Sequence, residues 1–268
     1  MPLLVWFALA VLVIVVVCAV FGAAVAPSDP NKQDLLRTFE TPSMEHLLGT
    51  DDFGRDVLSR LIAGTRTAVL GPLLIALGAM LIGNILGLLA GYRRGRTDSL
   101  IMRWVDLMYA LPGLLVAIVV AGVLGGGYFL AVALLIVLYS PYDTRIVRGA
   151  TLEQRPRPYV EAAVALGLPP RQIMARHIYP NLLPVIVANT FLTFAFALVS
   201  LSALSFLGLG AAPEQADWGR MLADSRTHLF DNAAWAIASG AAIVLTAAST
   251  NLVGDWLYEL LSNRGRAR

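Results

Sequence analysis

Apolar residues fill this chain in long runs instead of alternating with polar ones. Leu3 to Ala26 contains no charged side chain, and about 20 such residues in a helix suffice to cross a bilayer. Similar runs lie at Ala68–Gly91, Val105–Leu124, Tyr128–Val147, Leu182–Leu207 and Ala233–Val253. The first run ends Ala24-Val25-Ala26, like a signal-peptidase site. Its length and its lack of a basic leader fit a retained anchor instead, because a signal peptide's apolar core has only about 7–15 residues. From Leu111 to Ser140 the apolar stretch is broken only at Gly125-Gly126-Gly127. Pattern alone leaves one tilted span or a hairpin of two.

Loop charge decides between them. Arg93, Arg94, Arg96 and Arg103 precede the stretch, and Arg145, Arg148, Arg155, Arg157, Arg171 and Arg176 follow it. Basic loops resist export, so both clusters belong on the cytoplasmic side and the chain crosses twice between them. The expectation is an all-α membrane protein with six transmembrane helices and both termini inside. Arg264, Arg266 and Arg268 add to the inside charge.

Composition narrows the function. The 268 residues are 57% hydrophobic and 14% charged, with a mean hydropathy of +0.71, whereas soluble domains run at about 45–50% apolar and about 25% charged. An ordinary soluble enzyme is excluded. The net charge of +2 is too small to suggest a nucleic-acid partner. Cys18 is the single cysteine, so the chain holds no internal disulfide. Lys32 is the single lysine and no Gly-Lys-Ser/Thr loop exists, so the chain lacks the ammonium that reaches nucleotide phosphates. His46, His177 and His228 have no ligand spacing and lie outside every predicted span. That argues against a metal centre and against an intramembrane serine protease, which needs serine and histidine facing each other; labelling by a serine-directed probe would revive the protease.

Within the spans, Asn84, Asn189 and Asn251 are the amides, with Ser249 and Thr250 beside the last. Such groups either join helices or line a path. Asn84, Asn189, Ser249 and Asn251 are the path candidates. Asp106 and Asp255 mark inner span ends, and a chain of embedded carboxylates such as proton-driven pumps use is missing.

Outside the spans, residues 27–66 begin irregularly, with Pro27, Pro30 and Pro42. From Asp51 onward Phe53, Val57, Leu58, Leu61 and Ile62 share one helical face, which predicts a short amphipathic helix on the outer surface. A plain connector is the alternative. Trp218 and Trp235 are expected at headgroup depth. Residues 156–180 form a cytoplasmic segment. Alanine-rich 159–166 favours helix, Gly167 suits a C-terminal cap, and Pro169 stops continuation. Pro170 suits the first turn of a second short helix, expected to end ahead of Pro180. Two short helices at a glycine elbow make a slim knob suited to docking in a partner's cleft. A basic loop that merely sets topology is the other reading.

These residues carry a family likeness. Glu161-Ala162-Ala163, then Gly167, then Ile178-Tyr179-Pro180 resembles the EAA loop of ABC importer permeases, with Tyr179 in place of the usual leucine. Gly49-Thr50-Asp51-Asp52-Phe53-Gly54-Arg55-Asp56-Val57-Leu58-Ser59-Arg60 resembles a signature of the dipeptide/oligopeptide/nickel branch. So do Arg176-His177-Ile178, Leu204 to Gly210, Trp218-Gly219-Arg220-Met221-Leu222 and Asn251-Leu252-Val253-Gly254-Asp255, in family order over nearly the whole chain.

The resemblance implies a type-I ABC importer permease fold in a bacterial inner membrane. Residues 1–66 would be an anchor plus extracytoplasmic segment, and 67–268 the permease core with its coupling loop at 156–180. Glu161, Ala162, Ala163, Gly167, Arg171, His177 and Pro180 would couple to two cytoplasmic ATPases, which carry the ATP and Mg; this chain would bind no cofactor. A second, homologous permease would complete the path. A substrate-binding protein would dock outside at Asp52, Arg55, Asp56 and Trp218, and its cargo would be a di- or oligopeptide. The competing reading is a stand-alone homo-oligomeric channel or secondary carrier.

Overall fold

A computed structural model describes residues 3–266. Arg268, and the side chains of Arg264 and Arg266, lie outside what is described. Helix α1 spans Leu3–Val25, α2 Val57–Arg93, α3 Gly95–Tyr109, α4 Gly113–Leu124 and α5 Tyr128–Gln154. After α6 (Pro158–Ala165) and α7 (Pro170–Gln172), a π-helical turn at Ile173–Ile178 leads into α8 (Tyr179–Phe206). Helix α9 covers Trp218–Ser225 and α10 Ala233–Arg266. No strand occurs among the described residues. Among the described residues, five helices are long and apolar enough to cross a membrane, or six with α3 and α4 taken as one span bent by 77°.

That bend corrects the expected third span. Pro112 cannot donate a helical hydrogen bond and biases Leu111 away from helix, so the helix stops at Tyr109 and restarts at Gly113. The hairpin at Gly125-Gly126-Gly127 is as expected: all three have positive φ, which glycine alone adopts freely.

Helix α2 packs along α5. Gly71 lies against Tyr128, Gly78 against Ile136, Gly83 against Asp143, Gly87 against Val147 and Gly91 against Thr151. The numbers rise together, so the two helices are parallel. Small residues on one face let the backbones approach closely. Helix α8 runs antiparallel to α5, pairing Ser200 with Tyr139 and Thr193 with Asp143. Ile75, Ala131, Leu135, Ala197 and Leu201 make one buried cluster of this three-helix core. Helix α1 packs antiparallel to α2, its Gly22 against the Ile62–Ala63 backbone.

The amphipathic surface helix expected from Asp51 is not separate. Gly54 has φ +68 and ends a tight turn, Asp56 caps the next helix through Ser59 N at 2.7 Å, and Val57 already begins α2. A division after residue 66 therefore falls inside a continuous helix. The second short helix of the elbow likewise does not end before Pro180. The Tyr179 amide donates to Met174 O, a π-type bond across five residues. Pro180 then sits in the first turn of α8, where a missing N–H costs nothing.

Candidate functional site

Two regions carry chemistry, the elbow at residues 156–180 and a cleft within the bundle. In the first, Pro158 opens α6, and Gly167 at φ +74 reverses the chain. The Gly167 amide donates to Val164 O at 2.9 Å and Leu168 N to Ala163 O at 3.2 Å, closing the helix. Pro169 is extended and Pro170 starts α7. Val160 and Ala163 are buried in one cluster with Val147 of α5, Ile173 and Ile178 of the π turn, and Leu182 of α8. Glu161, Ala162, Gly167, Arg171 and Pro180 are exposed, and His177 is half-buried. The alanine pair thus faces two ways: Ala163 anchors the elbow and Ala162 presents it.

Tyr159 strengthens that anchor. Its hydroxyl donates to Gln154 Oε1 at 2.7 Å and receives Asn181 Nδ2 at 3.3 Å, while Asn181 also donates to His177 O. Partial burial pushes the phenol's pKa up. Sequence reading passed over this residue, although a tyrosine beside the alanine run was visible.

The extracytoplasmic candidates are mostly structural. Asp51 accepts from the amides of Phe53 and Arg55, both at 2.9 Å, and from Arg55 Nε at 2.6 Å. Arg60 Nε lies 3.6 Å from the same carboxylate and donates from Nη1 to Pro30 O. Asp56 also holds His46 Nδ1 at 2.9 Å. Arg55, Asp56 and Trp218 are buried, so their side chains hold the loops around residues 43–66 and 208–231 together. Only Asp52 keeps part of its carboxylate accessible, and burial raises its pKa. Trp218 donates to Leu61 O at 2.8 Å, and Trp235 packs on Val57 and Met221. Neither tryptophan is a headgroup anchor.

Inside the bundle, the α3–α4 break opens a cleft of about 430 Å³ against α5 and α8. Tyr109, Leu114, Tyr139, Tyr142, Thr193 and Ser200 are among its lining residues. Tyr139 and Ser200 share a hydrogen bond of 2.8 Å. None of the four expected path residues lines this cleft. Asn84 and Ser249 are buried between helices, the Asn251 carbonyl oxygen is enclosed without a partner, and Asn189 donates to Asp143. Asp143 was missed and Arg145 was read only as a loop charge, although both fall within the span expected at Tyr128–Val147. Asp143 also accepts from Thr193 Oγ1 at 3.2 Å, joining α5 to α8. Arg145 Nη2 donates to Asp106 Oδ1 at 2.7 Å and stands over the Tyr109 ring at 4.5 Å.

Comparison with known proteins decides the family. Residues 83–267 match the family model described as "Binding-protein-dependent transport system inner membrane component". The chain belongs to that family. It is 35% identical over 251 residues to the probable D,D-dipeptide transport system permease protein DdpC of Escherichia coli, covering 94% of this chain and 84% of the relative. It is 37% identical over 257 residues to the di/tripeptide transport system permease protein DppC of Pseudomonas aeruginosa, covering 93% and 84%. The glutathione transport system permease protein GsiD of Pectobacterium atrosepticum is 38% identical over 231 residues, covering 86% and 77%. An inward-facing structure of the MetNI methionine ABC transporter superposes with a TM-score of 0.61 at 19% identity, over 75% of this chain and 96% of that one. That likeness shows the fold. This binding-protein-dependent permease is a multi-pass protein of the bacterial inner membrane, and the stand-alone carrier reading is set aside.

Proposed function

We propose that the chain is one of two permease subunits of an ATP-driven importer of short peptides, with six crossings and both termini in the cytoplasm. The parallel pairing of α2 and α5 supports the topology, because α3 and α4 together must then return the chain across the bilayer. The observation that carries the coupling is the two-faced elbow. Glu161 and Ala162 are offered to an ATPase groove, while Val160 and Ala163 are locked to α5 and α8. A displacement of the elbow is therefore delivered to two spans at once, the requirement for an alternating-access change driven by ligand binding elsewhere. ATP and Mg belong to the two ATPase partners. A substrate-binding protein delivers the cargo from outside, and the peptide assignment rests on the relatives' cargoes.

The test is a mild-detergent pull-down of the tagged chain, co-expressed with its chromosomal neighbours. Recovery of an ATPase and a second permease, both lost on Glu161→Arg with the chain still in the membrane, is expected. Recovery of the chain alone and self-associated would overturn the assignment in favour of a stand-alone carrier.

A further inference from the structure

We infer that Asp143 is a positioning residue of the transport cycle: its carboxylate locks α5 to α8 in register, so that a displacement of the elbow reaches the middle of the bundle without slip. The inference rests on the importer reading and extends its coupling route beyond the elbow.

Three contacts between α5 and α8 stand in series. Nearest the elbow, Val147 of α5 shares a buried cluster with Val160 and Ala163 of α6 and with Leu182 and Ile186 of α8. One turn further along, Asp143 accepts from Asn189 Nδ2 and from Thr193 Oγ1, the latter at 3.2 Å. A turn beyond that, Tyr139 and Ser200 share their hydrogen bond of 2.8 Å at the α3–α4 cleft. Val147, Asp143 and Tyr139 fall four residues apart, so they share one face of α5. Ile186, Asn189, Thr193 and Ser200 follow at three, four and seven residues, the spacing of one face of α8.

The middle contact fixes the register. Apolar contact is non-directional, so Leu182 and Ile186 can slide past Val147 and stay buried. A buried hydrogen bond is directional, and breaking it strands donor and acceptor away from water. Asp143 and Thr193 are only 2% and 1% exposed, whereas the Tyr139–Ser200 pair is part-buried. Nor does Asp143 have anything to exchange for its two donors. Its Oδ2 is enclosed without a partner, and Gly83 of α2 presses on its Cβ with no side chain to offer. Arg145 and Arg148, on the same helix, are taken by Asp106 and Asp98. Slip of α8 along α5 therefore finds no second resting position, and the two helices move as one body. A contiguous chain of contacts carries a displacement only under that condition.

The test uses the assembled transporter in proteoliposomes with its binding protein. The readout is dialanine taken up per ATP hydrolysed, a ratio that a merely structural defect leaves unchanged because both activities fall together. Asp143→Leu/Asn189→Leu/Thr193→Val removes every polar group of the lock, and replacing both partners by apolar groups of similar shape is nearly neutral for stability. This variant is expected to assemble and hydrolyse ATP, with the ratio lowered at least ten-fold. Asp143→Asn keeps a carbonyl oxygen for both donors and is expected to stay within two-fold of the parent. If the triple variant fails to assemble, Thr193→Val alone decides, with an expected drop of at least two-fold. An unchanged ratio in the deciding variant overturns the inference. So does an Asp143→Asn as defective as the triple variant, which would make the charge and not the bond the requirement. If the parent complex hydrolyses ATP but takes up no dialanine, the cargo reading fails. The lock is then judged by stimulation of ATP hydrolysis by the binding protein, expected to be lost in the deciding variant and kept in Asp143→Asn; stimulation kept in both overturns it.

Discussion

Gly83 of α2 lies directly on Asp143 of α5, so close that a Cβ at position 83 would overlap the Asp143 Cβ and the Thr144 amide. The same holds further in, where Gly87 meets Val147 and the Thr144 carbonyl. The core of the molecule is therefore a backbone-to-backbone seam.

Gly87→Leu forces that seam apart, and overpacking of this kind costs about 1–3 kcal/mol. Purified in detergent, the variant should unfold several degrees below the parent in a thermal melt. An unchanged melting temperature would show that the seam opens without cost.

Asp51→Ala leaves Arg55 and Arg60 buried without their carboxylate. Removing one partner of a buried pair costs about 3–5 kcal/mol. Protease added to spheroplasts should cut the 27–56 segment of this variant at least ten-fold faster than that of the parent. Equal cleavage rates would assign the loop's order to other contacts.

Ala162→Leu and Ala163→Leu are expected to separate. The first adds bulk at an exposed position, where a surface change costs within about 0.5 kcal/mol; it should leave the chain folded but weaken ATPase recovery. The second enlarges a buried residue and should lower the melting temperature. Matching behaviour of the two would remove the two-faced reading of the elbow.

The spans were legible because hydropathy needs no partner: each run is apolar enough by itself. The α3–α4 break was legible in principle at Pro112, but a bend takes its direction from α5 and α8, which no local pattern encodes. Arg55, Asp56 and Trp218 read as surface groups because they are polar or amphipathic. Their burial follows from a carboxylate four residues from its arginine and from a carbonyl in α2 that accepts the indole. Asp143 escaped notice because it sits in an otherwise apolar run, and of the four residues that looked like a path Asn189 joins two helices by donating to it.

Asp217 gives a pH test. It caps α9 through the Arg220 amide at 3.0 Å, and burial holds its pKa above the ordinary value, the Arg220 hydrogen bond pulling weakly the other way. The folded chain thus binds this proton more tightly than the unfolded one. Acidification through the folded-state value favours the fold at this site, and the gain levels off below the unfolded value. Asp217→Asn keeps the cap and should flatten that part of the melting-temperature profile between pH 8 and pH 4; Asp217→Ala loses the cap, about 1 kcal/mol. A profile unchanged by Asp217→Asn would place the titration elsewhere.

The parallel seam between α2 and α5 also constrains how the protein is made. Helix α2 leaves the ribosome before α3, α4 and α5 exist, and the segment that fits its glycine face is the last of these four. A stripe of Gly78, Gly83, Gly87 and Gly91 has little side chain to offer lipid. During synthesis α2 therefore waits in the bilayer, or beside the insertion machinery, with its best surface unmatched. The α2–α5 seam closes only when α5 enters on the same heading and meets a helix laid down two crossings earlier, and α8 completes the core after that.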